Sequence, residues 1–160
     1  MTSDDDTVTR TVIVPLAPAE VWTLFVARFQ DWWPQAYSFS QDRLSTIGIE
    51  PKSGGRCFER DVKGQEITWG TVTKADPPDH LAFLWQITAD RRIEPDPAQA
   101  SEVEVAFEAT DTSTRVTLTH RAFQRHGDDW RAYRDGMASE QGWHYCLDCL
   151  ADAARTAGYS

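Results

Sequence analysis

Residues 128–158 read DDWRAYRDGMASEQGWHYCLDCLADAARTAG, and the fold turns on this stretch. Stepping by three and four from Trp130 collects Tyr133, Met137, Glu140, His144, Leu147, Ala151 and Ala154 on one stripe. Trp143, Cys146, Leu150 and Ala157 lie beside it. The pattern predicts one long helix, or a short lead-in followed by a helix, with Asp128 placed to cap its start. The lower part of the stripe is apolar, whereas the upper part carries Glu140 and His144. Gly136 and Gly142 each cost about 1 kcal/mol relative to Ala inside a helix, so a bend or break near one of them is expected.

The chain before this helix reads mainly as strands. Val8 to Val14 is β-rich and puts Val8, Arg10, Val12 and Val14 on one face. Pro18 suits a first helical turn, and PAEVWTLFVARF has helical spacing over about three turns. Pro34 ends a second short helical piece. Further strands are expected over Leu44–Glu50, Arg56–Val62, Gln65–Ala75, His80–Thr88, Glu102–Ala109 and Arg115–Arg121. The turns between them include KSGG and DPPD. Residues 89–101, with Pro95 and Pro97, read as a mobile loop. Strands grouped together and followed by a terminal helix predict an α+β fold of one domain over residues 8–158, after a flexible tail of residues 1–7.

A net charge of −9 lacks the basic footprint of a nucleic-acid binder and disfavours anionic membrane surfaces. With no signal peptide and no apolar run long enough to span a bilayer, the sequence predicts a cytoplasmic protein. Cys146 and Cys149 form a C-x-x-C, but deep in a helical pattern rather than at the helix start that would stabilise a thiolate. A metal site would lack further ligands beyond His144 and the distant Cys57. Packing is therefore the expected role, with no metal and no cofactor.

Several words along the chain, in order, resemble the helix-grip superfamily called SRPBCC, START-like or Bet v 1-like. The branch they resemble comprises homologues of the activator of the heat-shock chaperone ATPase. The words are PAEVW at 18–22, FQDWWP at 29–34, GGR at 54–56 with Phe58 and Glu59, and Gly64 followed by WG at 69–70. DPPDHLAFLWQI at 76–87, SEVEVAF at 101–107, TRVTLTHRAF at 114–123 and GW at 142–143 with Leu147 and Leu150 continue the set. The resemblance runs from about residue 8 to 157. It implies a seven-stranded antiparallel sheet wrapped around the terminal helix, two small helices at one end, and an apolar cavity between sheet and helix. It does not imply one function, since the superfamily holds carriers, cyclases, oxygenase domains and co-chaperones.

Candidate ligand-binding residues follow from the inward strand faces: Trp69, Phe83, Trp85, Ile87, Val105, Phe107 and Leu118, with Met137 from the helix. Each is equally a core residue by pattern. The polar candidates are His120, inward by alternation, and Glu140 and His144, one helical turn apart. Three titratable groups at one cavity could orient a carbonyl or move a proton; the alternative is a satisfied buried cluster. His80 and His126 are expected to be exposed, as is Arg60, while the direction of Arg56 is open. Arg91 and Arg92 read as a solvated loop that could form a lid. The leading expectation is binding of a small apolar or aromatic molecule. A cofactor-independent cyclase or aromatase is the alternative, and a chaperone partner the third reading. A homodimer through the sheet or through exposed Trp32 and Trp33 is also open.

Overall fold

The computed structural model of the chain describes residues 7–156. The expected tail, Thr7 excepted, and the stripe's end at Ala157 lie outside the described residues. Strands β1 (Val8–Val14), β2 (Leu44–Ile49), β3 (Arg56–Asp61), β4 (Glu66–Asp76), β5 (His80–Trp85), β6 (Ser101–Ala109) and β7 (Thr114–Arg121) form one antiparallel sheet. Its order is β1-β7-β6-β5-β4-β3-β2. Register shifts in the β2–β3, β3–β4 and β4–β5 pairs mark bulges, which bend a sheet and increase its twist. The result is a curled half-barrel around the terminal helix, the helix-grip α+β fold.

Alternation explains which face is gripped. Val103, Val105 and Phe107 of β6 are buried, as are Val116, Leu118 and His120 of β7. On β3 the inward residues are Cys57 and Glu59. Arg56 therefore faces outward, ion-paired with Glu66 at 3.0 Å and Glu50 at 3.4 Å, and Arg60 pairs with the same Glu66 at 2.5 Å. The buried Glu59 carboxylate accepts from Phe39 N at 3.0 Å, Ser40 N at 2.7 Å and Ser40 Oγ at 2.7 Å, which pins the segment leading into β2.

The expected three-turn helix after β1 is interrupted. It runs as α1 (Pro18–Trp22), a π turn (Thr23–Ala27) and α2 (Phe29–Trp32). The wider turn, closed by Arg28 N donating to Thr23 O at 3.0 Å, keeps Leu24, Phe25, Val26, Phe29 and Trp32 all buried. Trp32 and Trp33 are thus not an exposed pair: Trp32 is buried and donates its indole N–H to Phe25 O, and Trp33 stacks on Phe29. Burying aromatics of this size removes roughly 150–250 Å² each from water, about 4–6 kcal/mol of transfer free energy at about 25 cal/mol per Å².

The terminal segment is two helices, α3 (Trp130–Ala138) and α4 (Trp143–Thr156). The chain doubles back so tightly between them that a methyl group on Gly142 would stand 2.1 Å from the Met137 carbonyl oxygen. Arg10 Nη2 donates to Ala138 O at 2.5 Å, and Tyr37 Oη donates to Gln141 O at 2.7 Å, fixing the break from two sides. Below it α4 buries Trp143, Cys146, Leu147, Leu150, Ala151 and Ala154 in the sheet's grip. Above it α3 has no fully buried residue and lies across the mouth of the sheet.

The strand expected over His80–Thr88 ends at Trp85, and the loop expected as mobile over residues 89–101 is tied down: Ile87 bridges to Ile93, and Glu94 N donates to Gln86 O at 2.9 Å. Among the described residues no helix is long and apolar enough to cross a membrane.

Candidate functional site

A cleft opens where α3 crosses the ends of the central strands. Its outer space, about 370 Å³, lies between Trp85, Ile87, Thr88 and Arg91 on one side and Tyr133, Gly136 and Met137 on the other. A second space of about 170 Å³ shares Trp85, Ile87, Arg91, Gly136 and Met137 and reaches Trp33, Tyr37 and Cys146. The two spaces adjoin across these shared residues, over an aromatic floor. Beyond it, a volume of about 10 Å³ beside Trp69, Ser38 and Glu59 is the size of a single water. The Trp69 indole N–H is buried and finds no acceptor among the described residues.

Polar groups of the cleft are few and fixed. Tyr133 Oη accepts from Trp85 Nε1 at 2.6 Å and donates to Ile87 O at 2.6 Å, so the wall is hydrogen-bonded across helix and strand. Burial pushes the Tyr133 phenol far up, so it stays neutral. Burial likewise raises Cys146 and, more weakly, Tyr37. Arg91 lines both spaces. It adopts φ 62°, and its Nη2 donates to Tyr37 O at 2.6 Å.

Behind the Trp85–Tyr133 wall lies a histidine chain, buried at His120 and Ser101 and half-buried at His126. The Trp143 indole N–H donates to His120 Nδ1 at 3.0 Å, which leaves the ring proton on Nε2. That proton points to Ser101 Oγ at 2.7 Å, and Ser101 in turn donates to His126 Nε2 at 2.7 Å. Burial drives His120 well below the usual histidine range, and the neighbouring His126 acts in the same direction. Burial also lowers His126, partly offset by Glu94. Both His120 nitrogens and the Ser101 hydroxyl are matched with both rings neutral. The chain joins β6, β7, the turn after β7 and α4.

The structure does not bring the three polar candidates together. His120 is fully buried and packed between Trp85, Phe123 and Trp143. Glu140 sits exposed in the turn after α3. His144 points to solvent, 57% exposed, toward Asp148 at 3.5 Å. The expected cluster extrapolated one helix through the break at Gly142, and the break rotates α4 relative to α3. His80 and His126 correct the reading in the opposite sense. His126 is half-buried, and His80 is partly buried against Glu104 at 2.7 Å.

Of the apolar candidates, Trp85, Ile87 and Met137 line the cleft, and Trp69 faces the small inner volume. Phe83, Val105, Phe107 and Leu118 are core, with Phe107 edge-on to Trp22 and Phe25. Sequence reasoning missed Tyr133, Gly136, Tyr37 and Arg91 as lining. Tyr133 and Gly136 were legible from their place on the terminal segment. Arg91 was not, because a left-handed residue in a Pro-rich loop carries no directional signal. Among the described residues no group of three or more His, Cys, Asp or Glu is arranged to hold a metal.

A curled antiparallel sheet gripping a terminal helix, with an aromatic cleft at its mouth, defines a helix-grip domain. The chain belongs to the family described as Activator of Hsp90 ATPase homolog 1-like protein, whose pattern matches residues 15–155. Among solved structures it is similar to the anthrahydroquino-γ-pyrone synthase Txn09, at 32% identity and TM-score 0.66 over 96% of this chain and 99% of that one. It is also similar to CalC, a self-sacrificing resistance protein from Micromonospora echinospora, at 29% identity and TM-score 0.67 over 98% of each chain. Protein NE0264 from Nitrosomonas europaea, at 14% identity and TM-score 0.69 over 98% and 99%, shares the fold. No curated protein matches the sequence.

Proposed function

We propose that the protein binds a small, planar, largely aromatic molecule in the cleft between Trp85–Arg91 and α3. The observation that carries this reading is the cleft itself: an open space of about 370 Å³ floored by Trp85 and roofed by Tyr133 and Met137. Small-molecule sites have this character, apolar walls with a few fixed polar groups. The similarity to an anthrahydroquino-γ-pyrone synthase supports a polycyclic aromatic ligand. The test is a titration with anthraquinone-2-carboxylate, read by quenching of tryptophan fluorescence, in the wild type and in Met137→Trp. Saturable quenching that the bulky variant weakens at least tenfold is expected. Equal binding by both would place the ligand elsewhere.

The same similarity favours a second reading, ring closure of an aromatic precursor. Chemistry here would not run through His120, Glu140 and His144, since His120 is sealed and the other two face solvent. The charged group that reaches the cleft is the Arg91 guanidinium, which orients and polarises a carbonyl rather than removing a proton, while the neutral Tyr133 phenol already donates its proton to Ile87 O. Turnover that survives His120→Gln but falls with Arg91→Gln would favour this reading. Loss with His120→Gln at unchanged ligand binding would overturn that assignment of roles.

A further inference from the structure

Among the described residues, the lining of the cleft contains one charged side chain. Neither space has a described Asp or Glu in its wall, and Arg91 belongs to both. In a chain of net charge −9, that is a local reversal of sign. At physiological ionic strength charges more than about 8 Å away are largely screened, so a ligand in the cleft is governed by Arg91 rather than by the acidic surface.

Arg91 is held for this position. Its backbone is left-handed, φ 62°, a conformation uncommon for a residue with a side chain. Three hydrogen bonds close the surrounding turn. Arg91 N donates to Thr88 O at 3.0 Å, Thr88 N to Arg92 O at 2.8 Å, and Arg92 N to Thr88 Oγ1 at 2.9 Å. The turn sends the two neighbouring arginines apart. Arg92 goes to solvent and pairs with Asp90 at 3.2 Å. Arg91 folds back over the cleft, its Cζ 5.6 Å from the Phe39 ring centroid. Only Nη2 has an acceptor, the Tyr37 carbonyl, and no carboxylate pairs with Arg91 among the described residues. A guanidinium carries five N–H donors, so most of the fork remains available to a ligand.

We infer that the cleft selects ligands carrying an anionic oxygen group, a carboxylate or ionised phenol, on an aromatic frame, with Arg91 as the residue that sets this preference. The inference rests on the cleft being the binding site. A charge-assisted bidentate contact discriminates strongly against a neutral isostere, because the neutral group cannot match the guanidinium.

The experiment compares anthraquinone-2-carboxylate with the neutral anthraquinone-2-carboxamide by tryptophan quenching, in the wild type, Arg91→Gln and Arg92→Gln. The wild type is expected to prefer the carboxylate. Arg91→Gln should weaken the carboxylate about tenfold to a hundredfold, with the carboxamide within about twofold, while Arg92→Gln changes neither. Equal affinity for both probes in wild type and Arg91→Gln overturns the charge preference and leaves the cleft reading standing. Equal loss in Arg91→Gln and Arg92→Gln overturns it as well, since bulk charge would then be the cause. Binding of neither probe to the wild type overturns the cleft reading and this inference with it. Circular dichroism melts of both variants establish that the fold is retained.

Discussion

Replacing His120 by Gln should remove a specific part of the protein's acid sensitivity. In the fold His120 is fully buried and accepts the Trp143 N–H on the nitrogen that a second proton would need. Its folded pKa therefore lies well below the ordinary 6.5. The unfolded chain binds a proton near that ordinary value while the folded chain does not. A depressed histidine thus leaves stability whole above about pH 6.5 and erodes it as pH falls toward the folded pKa. Between about pH 7.5 and about pH 5.5 the loss from one such group is about 1.4 kcal/mol, since each pKa unit is worth about 1.36 kcal/mol. Carboxylates and His126 also change with pH, but they do so in both proteins and cancel in the difference. Urea unfolding with a slope of about 2 kcal/mol per molar would register the effect as a midpoint shift of about 0.7 M. The wild type should lose that much more midpoint than His120→Gln over this pH interval, whatever the variant's absolute stability. Parallel pH dependence in the two proteins would refute a sealed, neutral His120.

Other expectations follow from particular contacts. Gly142→Ala should lower the melting temperature by about 2–12 °C in a thermal scan, because its methyl group meets the Met137 backbone and overpacking costs about 1–3 kcal/mol. Gly136→Ala, in open space on a helix, should instead raise it by about 2–4 °C. Of the three free thiols, Cys57 and Cys146 are buried and raised by desolvation, so a thiol reagent should modify only Cys149 in the native protein. All three should react in denaturant, and fast native labelling of Cys146 would show the inner cleft to be open.

Much of the fold was legible because strands and turns write local signals. Strict alternation in SEVEVAF and RVTLTHR gave the inward faces of β6 and β7, His120 included, and DPPD gave the turn before β5. The π turn after α1 was not legible, since it preserves the same apolar residues that a straight helix would bury. The terminal stripe misled in one place. Stepping by three and four assumes an unbroken helix, and the close approach at Gly142 resets the phase, so Glu140 and His144 left the cavity. The cleft's polar chemistry was the least legible part. Arg91 reaches it through a left-handed turn closed by Thr88, and His126 reaches Ser101 from a short turn after β7. Both placements depend on tertiary contacts that no local periodicity encodes.

The proposed ligand sits under α3, and one side chain reports on it directly. The chain has two methionines, Met1 and Met137, and Met137 borders both spaces of the cleft. With the methionine methyl groups labelled with carbon-13, a titration with anthraquinone-2-carboxylate should move the Met137 methyl resonance to saturation, in step with tryptophan quenching. Saturable quenching with the Met137 methyl signal unmoved would contradict the account.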